Sequence, residues 1–169
     1  MTRYLKKLET LGFALASTVL LVACGNAIDT QFVGKVAVTK DESGQVLLSF
    51  NPCGLPINRV TVYALQEEMG ESTPKNFFFA AESSKSHPEP FTLDPNSLNG
   101  DWAGTPKVLP ESGSRTLRIR AEAVGHDAIS YDTETTGDSI GRLQPGQLVI
   151  GKDKIVSKDE FLHCDSTFK

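Results

Sequence analysis

The chain has 169 residues, a formal net charge of −4, and 39 % hydrophobic and 22 % charged residues, with three cysteines. That size allows one ordinary domain with its own core. The acidic balance excludes the positive footprint that a nucleic-acid partner needs, and it disfavours adhesion to anionic lipid.

At the N-terminus Arg3, Lys6 and Lys7 form a short cationic region, followed by an apolar run from Leu11 to Ala23 broken by Gly12, Ser17 and Thr18. This is the build of a secretory signal. The run of 13 residues falls short of the roughly 20 that a membrane-spanning helix requires. It ends in Leu21-Val22-Ala23-Cys24-Gly25, which resembles the lipobox of bacterial lipoproteins: a branched apolar residue, a tolerant position, a small residue, then cysteine.

The resemblance covers residues 1 to 25. It implies a cleaved signal helix over 1–23, a lipidated tether over 24–31 and a folded domain over 32–169, with diacylglycerol on the Cys24 thiol and an N-acyl chain on its new amino group. No other cofactor is implied. The mature chain would then be held by lipid on the outer face of the cell membrane or, in an organism with two membranes, on the outer membrane facing the periplasm. Gly25 after the cysteine favours the outer membrane in that second case, and several acyl chains make a stable anchor where one is marginal. The competing readings are an ordinary signal peptide with an incidental cysteine and an uncleaved anchor. Losing Arg3, Lys6, Lys7 and Glu9 with the leader leaves a mature net charge of −6.

Assigning Cys24 to lipid leaves Cys53 and Cys164, which an oxidising compartment would join as a disulfide. A metal site or a catalytic thiol has less behind it, because neither cysteine has another nearby in sequence and only His163 adjoins Cys164.

The rest of the chain reads as short strands separated by turns. Phe32 to Thr39 alternates, with Phe32, Gly34, Val36 and Val38 on one face. After the turn Asp41-Glu42-Ser43-Gly44, the residues Gln45 to Phe50 resume with Val46, Leu48 and Phe50 in phase. Beyond Asn51-Pro52-Cys53-Gly54-Leu55-Pro56, a strand over Arg59 to Leu65 turns Val60, Val62 and Ala64 inward, and Phe77 to Ala81 is a further candidate. Arg115 to Val124 has the clearest pattern, Leu117, Ile119, Ala121 and Ala123 alternating with Arg118, Arg120 and Glu122. Ala128 to Thr133, Gln147 to Gly151 and Lys154 to Val156 complete the set. Ser157-Lys158-Asp159-Glu160 has the form of a capping box opening a short C-terminal helical turn.

This pattern predicts an all-β fold, an antiparallel β-sandwich similar in outline to immunoglobulin-like domains. The order Cys53, Trp102, Cys164 matches theirs superficially, yet Trp102 lies in a loop composition. Residues 82–114 hold five prolines and are too long and polar for a simple connector, the kind of loop that is functional or disordered more often than core. In Phe77-Phe78-Phe79 alternation requires Phe78 to oppose its neighbours. Either residues 82–114 fold over it with Trp102 as a plug, or Phe78 and Trp102 form an exposed patch for an envelope protein or an apolar ligand.

Catalytic signals are sparse. Gly137-Asp138-Ser139-Ile140 resembles the nucleophile block of GDSL-type esterases, but in that family the serine stands near the mature N-terminus and its base lies far downstream in an Asp-x-x-His block. Here Asp159 precedes His163 by four positions, and a serine without a positioned base is not activated. Ser139 is therefore read as a turn residue. His87, His126 and His163 lack zinc-ligand spacing and read as surface or turn residues, while Asp127, Asp132, Glu134 and Asp138 lack a calcium-loop pattern. The reading favoured is a lipid-anchored extracytoplasmic binding or envelope-interaction module without enzymatic activity. A surface-tethered hydrolase and a passive structural lipoprotein are the alternatives.

Overall fold

A computed structural model describes residues 30–64 and 76–168, without the side chains of Asn76 and Phe77. The expected signal helix over 1–23 and Cys24, the expected site of lipidation, lie outside the described residues. Within them are β1 Gln31–Lys40, β2 Val46–Asn51, β3 Ile57–Ala64, β4 Asn76–His87, β5 Phe91–Leu93, β6 Trp102–Gly104, β7 Thr116–Glu122, β8 Ala128–Tyr131, β9 Thr133–Thr136, α1 Gly137–Arg142, β10 Leu148–Ile150, β11 Lys154–Val156 and α2 Lys158–Leu162.

The strands form two sheets, of seven and five strands, that share β1. The smaller runs β11-β10-β1-β2-β5, and the larger joins β1 to β8, β7, β3, β4 and β6, with β9 beside β7. Among these strands the β1/β8 pair is parallel and the rest are antiparallel. Both sheets feed one core: Val36, Val38, Leu48 and Phe50 from the smaller, Val60, Val62, Phe79, Leu117, Ile119 and Ala121 from the larger.

β1 belongs to both sheets because it bends at Gly34. Before the bend Gln31 and Phe32 pair with Ala128 and Ile129 of β8; after it Lys35 to Lys40 pair with β2, and Val38 and Thr39 with β10. The register shifts between Phe32 and Lys35, as at a β-bulge. Gly34 has φ +80°, and a Cβ there would lie 2.7 Å from the carbonyl oxygens of Asn51 and Pro52. The bulge changes the phase of the strand. Contrary to the simple alternation, Val33 is buried and Phe32 is 47 % exposed, while Val36 and Val38 point inward as expected.

β7 keeps its alternation throughout, with Leu117, Ile119, Ala121 and Ala123 all buried. Val60, Val62 and Ala64 of β3 are buried likewise. In β4 the alternation fails. Tyr63 pairs with Phe77 and Val62 with Phe79, leaving Phe78 as the extra residue of a bulge. Phe78 therefore does not simply oppose Phe79, and both pack against the core.

The segment 82–114 is more regular than its composition suggests. β4 continues to His87, β5 pairs with β2, and β6 pairs with β4 at Ala81, Glu82 and Ser83. The prolines fall between these pieces, where no ladder amide is needed. Trp102 is thus a strand residue at a sheet edge. Gly137 to Ile140, read as a turn, begin α1, which is capped by Thr136, whose hydroxyl accepts from the Ser139 amide. At α2 half of the capping box is present: the Ser157 hydroxyl accepts from the Glu160 amide at 3.2 Å, while the Glu160 carboxylate pairs with Lys154 instead.

Gly34→Ala should be destabilising by at least ~2 kcal/mol, because positive φ and a backbone clash add. Urea unfolding followed by circular dichroism measures this, and an unchanged midpoint would remove Gly34 as the pivot of β1.

Candidate functional site

The C-terminal segment crosses the outer face of the five-stranded sheet, the face that alternation directs away from the shared core. Phe161 of α2 buries there against Ala37, Leu148 and Val156, with Ile150 at the side, making a second small core. Several independent ties hold α2 in place. Asn51 Nδ2 donates to the Phe161 carbonyl at 2.9 Å, Lys35 Nζ donates to the His163 carbonyl at 2.7 Å, and the Phe168 amide donates to the Cys53 carbonyl at 2.9 Å. Cys53 and Cys164 form the expected disulfide, with Cα atoms 5.8 Å apart.

Because α2 covers only part of the sheet, a groove of about 540 Å³ remains beside it. Thr39, Ser49 and Leu148 line it from the sheet, Pro90, Phe91 and Thr92 from the β5 side, and Lys158, Phe161 and Leu162 from α2. The volume falls within the range of small-molecule sites, roughly 300–1,000 Å³, and the mostly apolar lining with a few polar groups fits that class. The Thr39 hydroxyl is engaged, donating to the Gln147 carbonyl at 2.7 Å. Among the described residues, neither the Ser49 hydroxyl nor the Lys158 ammonium has such a partner, so both are free to meet a ligand.

Behind the β5 wall lies a stack of rings. Phe50 and Phe91 have centroids 4.7 Å apart, Phe91 and Trp102 5.6 Å, and Trp102 and His87 5.1 Å with the planes within 17°. His87 Nε2 is 2.8 Å from the Ser83 hydroxyl. His87 is therefore built into the fold rather than loose on a turn. Phe78 and Trp102, whose alternatives were a covered core and a shared patch, lie in different settings: Trp102 joins this stack, whereas Phe78 sits in the β4 bulge with the Lys107 ammonium 5.2 Å from its ring centroid. Both are partly buried against the core.

Around β3, β7 and β9 the outer face of the larger sheet is covered by ion pairs. Arg120 donates to both oxygens of Asp132, Arg118 pairs with Glu134 and Asp132, and Arg59 pairs with Glu82 and Glu122. The hydrogen bonds it donates to Asp132 raise Arg120 above its ordinary value, against the opposing effect of burial. For Arg59 burial is the largest influence and lowers the value, but Glu82 and Glu122 together outweigh it. Asp132 and Glu134 thus neutralise arginines.

Ser139 lies in α1, its hydroxyl accepting from Thr136 at 3.1 Å and from Arg142 at 3.2 Å. The glycines of this block have a packing role. A Cβ on Gly137 would lie 2.2 Å from the Ser112 carbonyl oxygen, and one on Gly141 2.2 Å from that of Glu111. Spaced four apart, they share one helix face and let the 111–112 backbone approach. The Asp138 carboxylate completes the junction by accepting from the Gly113 amide at 2.7 Å.

The sequence reading missed the groove. Its one local signal is Phe91-Thr92-Leu93, an apolar alternation too short to stand out between prolines. No family model, curated protein or solved structure matches this chain.

Two outcomes follow from this geometry. Trp102→Ala should be destabilising by about 1.5–3 kcal/mol, less than a full core truncation because the ring is partly exposed; thermal unfolding checks it, and an unaltered melting curve would show that the stack contributes nothing to folding. Cys53→Ser should be destabilising by about 2–5 kcal/mol. It should also speed hydrogen exchange at the amides of Phe161 and His163 before the rest of the domain, and uniform exchange across the chain would contradict this.

Proposed function

We propose that this chain is a lipid-anchored, extracytoplasmic binding module, held at a membrane through Cys24, whose groove beside α2 takes an apolar ligand carrying an anionic end. The groove is the observation that carries the reading. Its depth suits an apolar body, and Lys158 at its wall, without an ion-pair partner among the described residues, suits a negative group. The lipobox at Leu21-Val22-Ala23-Cys24 supports membrane attachment, and the disulfide agrees with an oxidising compartment.

Within this reading the two sheets are a β-sandwich of immunoglobulin-like outline, antiparallel except for the parallel β1/β8 pair, supported by the single core to which both contribute. Two departures make the likeness one of outline. The bridge joins the turn after β2 to the segment after α2, not two facing strands, and Trp102 lies on an edge strand.

The anionic apolar dye anilinonaphthalene sulfonate is a suitable probe. The protein should enhance its emission, and Thr92→Trp, which places a ring in the groove from an exposed β5 position, should abolish the enhancement without lowering the melting temperature. Equal enhancement in both proteins, or none in the unsubstituted one, would overturn the groove as a ligand site. The intact mass of membrane-extracted protein tests the anchor separately, since Cys24→Ala should lose the acyl increment.

A further inference from the structure

A second surface lies where the chain enters the fold. Phe32, 47 % exposed, and Tyr131, 56 % exposed, have ring centroids 5.7 Å apart on the paired strands β1 and β8. Ile129, directly opposite Phe32 in the register and two residues before Tyr131 on β8, is half-buried beside them. Val124, in the turn joining β7 to β8, adds a further exposed apolar side chain at the end where the Gln31 amide bonds the Asp127 carbonyl.

Single exposed apolar residues are ordinary on protein surfaces, but here two large rings touch each other and continue into an aliphatic neighbour. The strip exists because of the Gly34 bulge, which turns Phe32 out and Val33 in. Two charged groups beside the strip, Lys35 and Glu122, are already paired. Lys35 bonds the Glu160 and His163 carbonyls and lies 3.4 Å from Asp165, and Glu122, opposite Ile129, pairs with Arg59.

We infer that this strip of Phe32, Ile129 and Tyr131 rests in the headgroup region of the membrane that carries the anchor. The inference rests on the lipid-anchor reading of Cys24. Thr30 follows Cys24 by six positions, and an extended chain of that length spans at most roughly 20–22 Å. A domain of this size is about 35–40 Å across, so the tether is shorter than the domain and the surface beside Thr30 is the one brought to the bilayer. Phe32 stands two residues from that point. Tyrosine suits the location, since its ring seeks the apolar boundary while its hydroxyl stays in the wet headgroup layer. The acidic net charge points to a zwitterionic surface as the partner, with ring insertion rather than charge as the contact.

The test uses the full chain, processed in a lipoprotein-forming bacterial host and reconstituted into vesicles of phosphatidylcholine brominated on its acyl chains, which quenches tryptophan on contact. Phe32→Trp in a Trp102→Phe background places the only tryptophan on the strip, and the unsubstituted protein, with Trp102 at the β6 edge, is the control. The expected result is an acyl increment on Cys24 and loss of most tryptophan emission for the strip variant, with the control unquenched. An acylated but unquenched strip variant overturns the proposal and leaves the anchor standing. Absence of the acyl increment overturns both together. Protection of the strip by a second copy, seen as concentration-dependent dimers in sedimentation with the tryptophan shielded from bromine, overturns it in favour of self-association.

Discussion

The bend in β1 is the constraint on which the rest of this structure depends. One strand serves two sheets, so each sheet has its position fixed by the same backbone, and the core between them closes around Val36 and Val38 from that strand. The bend needs a residue with positive φ and no Cβ, because the carbonyls of Asn51 and Pro52 press against that point. Its consequences extend to the surface. It sends Val33 inward, turns Phe32 outward, and sets β1 beside both β8 and β10.

The C-terminal segment depends on that arrangement in turn. Ala37 is buried on the face of β1 opposite the main core, which leaves an apolar strip that Phe161 covers. The cover is short, and its own helix of five residues would not persist alone. It is held by a disulfide, three tying hydrogen bonds and one buried ring. Such an element shields the sheet only where it reaches, and the groove is the portion it leaves open. The groove and the strap are thus one feature: moving α2 changes the wall that Lys158, Phe161 and Leu162 supply.

The two outer faces of the molecule differ in chemistry for the same topological reason. On the larger sheet, strands β3, β7 and β9 lie in register, so Arg59, Arg118 and Arg120 each find carboxylates across the ladder. That part of the face is polar and internally satisfied, and the apolar strip of Phe32, Ile129 and Tyr131 lies beyond it on β1 and β8. On the smaller sheet the outward face presents Ala37 of β1 with Leu148 and Ile150 of β10, and these need the strap. The aromatic stack from Phe50 to His87 sits where β5 and β6 close the core at its edge, which explains why a proline-rich stretch is retained there as ordered structure.

Local sequence patterns were sufficient for much of the fold. The unbroken alternation of Leu117 to Ala123 reveals β7, because a central antiparallel strand has one buried and one paired polar face over its whole length. Val60 to Ala64, Val46 to Phe50 and the Ser157 cap are legible for similar reasons, and the pairing of Cys53 with Cys164 follows from cysteine parity once Cys24 is set aside. Alternation misleads wherever a bulge intervenes, at Gly34 and at Phe78, since one extra residue reverses the faces and only the partner strand determines where it is inserted. Short strands such as β5 and β6 carry too few residues to show a period, and exist because β2 and β4 offer them an open edge. The Gly-Asp-Ser-Ile block looks chemical in sequence and is steric in the fold, Gly137 and the following Gly141 admitting a backbone about 25 residues away by the count of the Gly113–Asp138 contact. The groove belongs wholly to tertiary structure, because its walls come from segments more than 100 positions apart, Thr39 and Lys158 among them, and nothing local records that α2 stops short of covering the sheet.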